Sequence, residues 1–89
     1  MYDIKITKMG NAQKEHHMKF LFVMHSGTHT MLAILEDVRI EDGTVSATQI
    51  GQFDGWADDR TERYVRCEPK QFIAGGGPWT LTEYTKPLL

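Results

Sequence analysis

The sequence lacks several features that would place it in a particular class of protein. Its single cysteine, Cys67, excludes an intramolecular disulfide and a cysteine-based metal cluster. The apolar run at residues 20–24 is short and is followed by a polar turn, so we expect neither a signal peptide nor a membrane span. There is no internal repeat or low-complexity tract. These absences predict one soluble, cytoplasmic domain over residues 1–89.

The net charge is also small, but charge is unevenly distributed along the chain. The net charge is −2 at pH 7, so we expect no general attraction to nucleic acid or to anionic membranes. Residues 31–59 nevertheless hold seven carboxylates and a single arginine. An acidic middle segment in an otherwise slightly basic chain predicts a surface that attracts a basic partner.

Alternation of apolar and polar residues predicts that most of the chain is extended. The predicted strands are rich in β-branched and aromatic residues and are bounded by turn residues, at 2–8, 18–25, 28–35 and 79–85. Residues 10–17 between the first two are predicted to form a loop, and so are the three glycines at 75–77.

The clearest local signal is Asp42-Gly43, which lies between two alternating runs. This dipeptide favours a type I′ turn, and it therefore predicts a hairpin over residues 37–50. The expected cross-strand pairs are Glu41 with Thr44, Ile40 with Val45, Arg39 with Ser46, and Val38 with Ala47.

Two later segments have weaker patterns. Residues 51–59 are predicted to be a turn-rich connection, with Phe53 and Trp56 tucked beneath the fold. Residues 58–67 fit either a short helix or a strand, and the poor helical apolar stripe favours the strand. The predicted fold is mainly β, a small antiparallel meander of six or seven strands closed into a barrel or a sandwich.

The histidines are one candidate for a metal site. A three-residue loop at 26–28 would bring His25 opposite His29, whereas a two-residue loop at 26–27 would place them on opposite faces. The other two histidines, His16 and His17, lie at the far end of the preceding strand, and zinc usually takes at least three protein ligands. No residues show the spacing of a catalytic dyad or triad. We therefore predict no metal, no cofactor and no enzymatic activity.

With no catalytic constellation, the favoured hypothesis is a non-enzymatic adaptor or inhibitor that binds a basic groove of another protein. Its expected contacts are the acidic residues of the hairpin and of the following loop, with Trp56 as aromatic anchor: Glu36, Glu41, Asp42, Asp54, Trp56, Asp58 and Asp59. One alternative is a metal- or small-ligand-binding barrel that uses His25 and His29. Another is single-stranded nucleic-acid binding through Arg60, Arg63, Arg66 and Tyr64. Dimerisation of the chain is also compatible with its small size.

Overall fold

The structure, a computed structural model, describes residues 18–75 and 77–89. These residues form five β-strands and no helix: β1 (Lys19–Ser26), β2 (His29–Glu41), β3 (Thr44–Trp56), β4 (Glu62–Ala74) and β5 (Trp79–Tyr84). The predictions of a strand at 2–8 and a loop at 10–17 fall outside the described residues, and so do His16 and His17. The strand preferred for residues 58–67 is confirmed, because β4 covers most of that range.

All five strands belong to one antiparallel sheet with the order β4-β3-β2-β1-β5. The first four strands follow one another as hairpins, and β5 returns to pair with the free edge of β1. The mainly-β prediction is confirmed. The sheet is not closed into a barrel, and the described residues supply five strands where six or seven are predicted.

The β2–β3 hairpin has the predicted turn. Asp42 and Gly43 both have positive φ, 51° and 77°, as a type I′ turn requires. The three predicted pairs nearest the turn are present. The fourth is altered by a β-bulge, in which Asp37 and Val38 together lie opposite Ala47. Asp37 adopts a φ of 56°, a left-handed conformation that few residues other than glycine tolerate.

The prediction of a turn-rich connection at 51–59 is wrong for residues 51–56, since β3 continues to Trp56. A second bulge explains the misleading sequence. Asp54 is an extra residue between the pairs Phe53–Tyr64 and Gly55–Arg63, and Gly55 has a φ of 124°. Glycine and aspartate therefore serve here to bend a strand rather than to end it.

A line of irregularities crosses the middle of the sheet. Ile50 of β3 has no paired residue on β2, because the register between these two strands shifts at this point. On the other side, three residues of β4, Cys67 to Pro69, lie opposite Ile50. The buried side of the sheet changes at this line. Ile34 and Leu35 are adjacent in sequence and both fully buried, yet they belong to different hydrophobic clusters. Adjacent strand residues point to opposite faces, so each face of the sheet carries a small core.

The first cluster lies beneath the β2–β3 hairpin and is centred on Phe22. Its ring contacts Phe72 edge-on at 4.9 Å between centroids and is stacked on Trp79 at 6.1 Å. The Trp79 indole N–H also donates a hydrogen bond of 3.2 Å to the carbonyl of Gly43 at the hairpin tip. The tip of the β2–β3 hairpin therefore bends toward β5, which is two strands away from β2 in the sheet.

The second cluster is covered by the segment that follows β5. Leu88 is buried against Ile34 and Tyr64. Next to it, the Leu89 N–H donates to the Tyr64 carbonyl at 3.2 Å, and the Leu89 carbonyl accepts from the Arg66 N–H at 2.9 Å. The segment thus crosses one face and pairs with the outer edge of β4, far from the strand it leaves. Two backbone hydrogen bonds cover that part of the β4 edge.

Candidate functional site

The residues predicted to form one contact surface, six acidic residues and Trp56, lie in three places. Glu41 and Asp42 are at the tip of the β2–β3 hairpin, and Glu36 is in the middle of β2. The remaining four, Asp54, Trp56, Asp58 and Asp59, are at the opposite end of β3. Twelve residue steps separate Thr44 from Trp56, roughly 40 Å in a straight strand and less in this bulged one. One contact surface of ordinary size cannot be centred on both ends.

The end of the β3–β4 hairpin combines these four residues with an aromatic row, and we call it the β3–β4 end. It comprises Asp54, Trp56, Asp58, Asp59, Arg60, Glu62 and Arg63. Trp56 is 58% exposed, which contradicts the prediction that it is tucked beneath the fold. Its ring makes an edge-to-face contact with Phe53, with centroids 5.7 Å apart.

The row continues inward from Phe53. Tyr64 contacts Phe53 at 5.8 Å and Tyr84 at 5.4 Å, in both cases edge-on. Edge-to-face pairs of this kind contribute about 0.5–1.5 kcal/mol each beyond area burial. Trp56 is therefore the exposed end of a packed series that begins in the second cluster, and the series restricts the orientation of its indole.

Glu62 is directly opposite Trp56 in the β3–β4 ladder, so the two side chains share a face. The Tyr64 hydroxyl donates a hydrogen bond of 2.7 Å to the Glu62 carboxylate. Burial, together with that bond and the carboxylate charge, raises the pKa of Tyr64 well above its usual range. The hydroxyl consequently keeps its proton and holds the carboxylate beside the indole. Glu62 is not among the site residues predicted from the sequence, although its position two residues before Tyr64 in a strand places the two side chains on one face.

Two further carboxylates of this end are restrained by hydrogen bonds. Asp54 forms an ion pair of 3.1 Å with Arg63. Asp59 accepts a 3.0 Å hydrogen bond from the Thr61 N–H. Hydrogen bonding by the Thr61 side chain, together with this backbone bond, lowers the pKa of Asp59. The loop that joins β3 to β4 is a tight reversal, with Arg60 at a φ of 69° and a 2.8 Å hydrogen bond from the Arg60 N–H to the Ala57 carbonyl.

The β3–β4 end therefore presents an exposed indole among four carboxylates and two guanidinium groups, on a backbone fixed by hairpin hydrogen bonds. No protein-family model, curated protein or solved structure matches the chain. What this end can do has to be inferred from its own chemistry. A negatively charged, partly apolar surface of this kind is complementary to a basic side chain.

The histidine pair does not form a site. Ser26 pairs with His29 and His25 with Thr30, so the turn residues are Gly27 and Thr28 and neither predicted loop is right. Gly27 supplies the positive φ, 62°, of a type II′ turn. His25 and His29 then lie on opposite faces, and the His25 ring contacts the Thr30 hydroxyl at 3.1 Å. Within residues 18–75 and 77–89, no three metal-ligating side chains cluster.

The geometry also weakens the nucleic-acid alternative. Tyr64 is 1% exposed and cannot offer its ring to a base. Arg63 is paired with Asp54, and Arg60 follows directly on Asp58 and Asp59. Among the described residues, no helix is long and apolar enough to cross a membrane.

Proposed function

We propose that the protein is a non-enzymatic binding module, an adaptor or inhibitor, that engages a basic surface of another protein through its β3–β4 end. The observation that carries this proposal is the exposure of Trp56 beside the ordered carboxylate of Glu62. Large aromatic side chains are the residues most enriched among the energetically dominant contacts of protein interfaces.

The order of this end supports a binding role. Trp56 is held by Phe53, Glu62 by Tyr64 and Asp54 by Arg63. Side chains that are already fixed lose less conformational entropy when a partner binds, and each immobilised flexible side chain costs about 0.5–1.5 kcal/mol. A partner would therefore find much of this surface in its binding conformation.

The expected contact is an arginine or lysine of the partner placed over the Trp56 indole. A cation over an aromatic face contributes about 0.5–2 kcal/mol, depending on how far it is desolvated. Glu62 lies on the same face and could accept a charge-assisted hydrogen bond from that cation. Asp58 and Asp59, exposed in the loop, would increase the association rate by long-range attraction.

Affinity capture from cells that contain the protein, with matched variants, tests the proposal. Trp56→Ala should reduce the retained partner at least tenfold, since loss of a central aromatic contact costs about 2 kcal/mol or more. Asp58→Lys with Asp59→Lys should slow association with the purified partner and make its rate less dependent on salt.

The control reverses the same number of charges at the far hairpin tip, in Glu41→Lys with Asp42→Lys. This variant should retain the partner at the wild-type level, because the tip lies at the other end of β3. Equal losses in both charge variants would show a diffuse acidic field rather than a site. Undiminished retention by Trp56→Ala would refute the proposal.

A further inference from the structure

The segment that follows β5, residues 85–89, is held to the sheet by few contacts, and we call it the strap. Residues 85–87 are exposed, and so is Leu89, at 68%. Only Leu88 is buried, and the backbone of Leu89 makes the two hydrogen bonds to β4. Ordering the strap costs conformational entropy at every residue, and segments with few buried apolar contacts open locally at the lowest free energy. The strap can therefore leave the sheet while the strands remain paired.

The docked position of the strap is defined by shape. Leu88 lies over Gly51, where a Cβ atom would come within 3.0 Å of the Leu88 Cδ2. The leucine side chain is buried against Ile34 and Tyr64. The missing side chain of Gly51 thus leaves the space that Leu88 fills. The strap consequently has two discrete arrangements, docked in this seat or released from it.

Tyr64 meets the strap with both its ring and its backbone. Leu88 packs in the same cluster as the ring, and the Leu89 N–H donates to the Tyr64 carbonyl at 3.2 Å. The ring also contacts Tyr84, the residue directly before the strap, edge-on at 5.4 Å. Release of the strap would therefore uncover a ring that is 1% exposed while the strap is docked.

The same tyrosine side chain restrains two residues of the β3–β4 end. Its hydroxyl donates a hydrogen bond of 2.7 Å to the Glu62 carboxylate. Its ring contacts Phe53 at 5.8 Å, and Phe53 contacts Trp56 at 5.7 Å. Both restraints depend on the present rotamer of Tyr64, and a ring that loses the packing of Leu88 has room for other rotamers. One side chain thus connects the strap to the exposed indole.

We propose that the strap regulates the β3–β4 end. The docked strap fixes Tyr64, and through it Glu62 and Trp56, in the binding conformation, whereas release of the strap loosens both. This inference rests on the proposed function, because the regulated surface is the one assigned to partner binding. Coupling between two sites is reciprocal, so a basic protein bound at the β3–β4 end would also hold the strap in its seat.

Amide exchange and side-chain NMR on the whole chain test the coupling without a partner. Leu89→Pro removes the N–H that bonds to the Tyr64 carbonyl. Leu89→Ala is the matched control, because it keeps that N–H and removes only an exposed side chain. Leu89→Pro should accelerate exchange of the Arg66 amide, which bonds to the Leu89 carbonyl, roughly two- to tenfold, the factor that one backbone hydrogen bond contributes.

The β3–β4 end should respond in the same variant. In Leu89→Pro the heteronuclear NOE of the Trp56 indole N–H should fall and the carboxyl carbon signal of Glu62 should shift. Leu88→Ala, which empties the seat, should move both signals further in the same direction, and Leu89→Ala should move neither. Unchanged amide shifts in β1 and β2 confirm that each variant is folded.

Tyr64→Phe separates this coupling from a general loss of packing. It keeps the ring and removes the hydroxyl that bonds to Glu62. In that background Leu89→Pro should still lower the Trp56 NOE but should have little effect on the Glu62 signal. Equal effects on Glu62 with and without the hydroxyl would overturn the role given to Tyr64.

Two further results would overturn the inference. In the first, Leu89→Pro speeds the exchange of Arg66 but leaves Trp56 and Glu62 as they are in Leu89→Ala, so that the strap moves independently of the β3–β4 end. In the second, the exchange of Arg66 stays at the wild-type rate, so that the strap does not depend on the hydrogen bond removed. None of these measurements involves the partner, so they are distinct from the capture experiment that tests the proposed function.

Discussion

Replacing Gly51 with alanine is expected to destabilise the protein, although a glycine-to-alanine change in a strand usually has the opposite effect. Gly51 is buried in the middle of β3, beneath Leu88. A Cβ atom built on it would lie 3.0 Å from the Ile34 Cβ, 3.0 Å from the Leu88 Cδ2 and 3.2 Å from the Ile34 Cγ1. Carbon atoms at optimal separation are about 3.5–4.0 Å apart, so several atoms would have to move.

The size of the destabilisation by Gly51→Ala depends on which neighbouring side chain can move. Ile34 is fully buried at the centre of the sheet and cannot retreat without displacing β2. Overpacking of this kind costs about 1–3 kcal/mol, and the lower entropy of the unfolded alanine chain returns about 0.4–1 kcal/mol. The net loss is therefore about 1–2 kcal/mol, which lowers the thermal midpoint by roughly 5–15 °C in a domain of this size.

The second contact allows a more specific test. Leu88→Ala alone should cost about 2–4 kcal/mol, as truncation of a buried leucine does. In that background the methyl group of Gly51→Ala meets only Ile34, so its cost should fall by about 1 kcal/mol. Urea denaturation of the four proteins measures this coupling, which residues in contact show and distant residues do not.

Gly77→Ala is the matched control. Its new Cβ would lie 3.4 Å from the Met24 Sδ, an ordinary contact, and we expect it to be neutral or up to about 1 kcal/mol more stable. If Gly51→Ala is as stable as Gly77→Ala, or if its cost is the same with and without Leu88, then Leu88 does not cover β3 as described and the reasoning is refuted.

Two further predictions concern the β3–β4 end. The pKa of Tyr64 is raised above its ordinary value of 10.0 in the folded protein, so the folded state holds that proton to a higher pH than the unfolded state, and the free energy of unfolding should fall as the pH rises above about 10. Urea denaturation between pH 9 and 11 should show a smaller fall in the free energy of unfolding for Tyr64→Phe than for the wild type. Equal falls would contradict the assignment. Arg60→Gly should stabilise the protein by about 0.5–1 kcal/mol, since it relieves a φ of 69° in an exposed loop. Thermal denaturation measures this change. Asp58→Gly, at a position without positive φ, is the control and should not increase the stability.

Most residues of the candidate site could be predicted from the sequence, but which of them lie together, and the inclusion of Glu62, could not. Trp56, Asp54, Asp58 and Asp59 are recognisable as polar and aromatic residues around a turn. Their separation from Glu41 and Asp42 was not predictable, because it depends on β3 continuing to Trp56 through a bulge. The addition of Glu62 depends on the same register, which places it opposite Trp56.

What the sequence by itself determined is local: the strand character of most of the chain and the type I′ turn at Asp42-Gly43. Both follow from short-range physics, namely side-chain alternation with a period of two and the φ preferences of two residues. The tertiary structure alone decided which face of each strand is buried. A single unpaired residue reverses the facing of everything beyond it, and the bulges at Asp37, Ile50 and Asp54 are visible only in the pairing of neighbouring strands. The two-sided core and the exposed indole both result from those reversals.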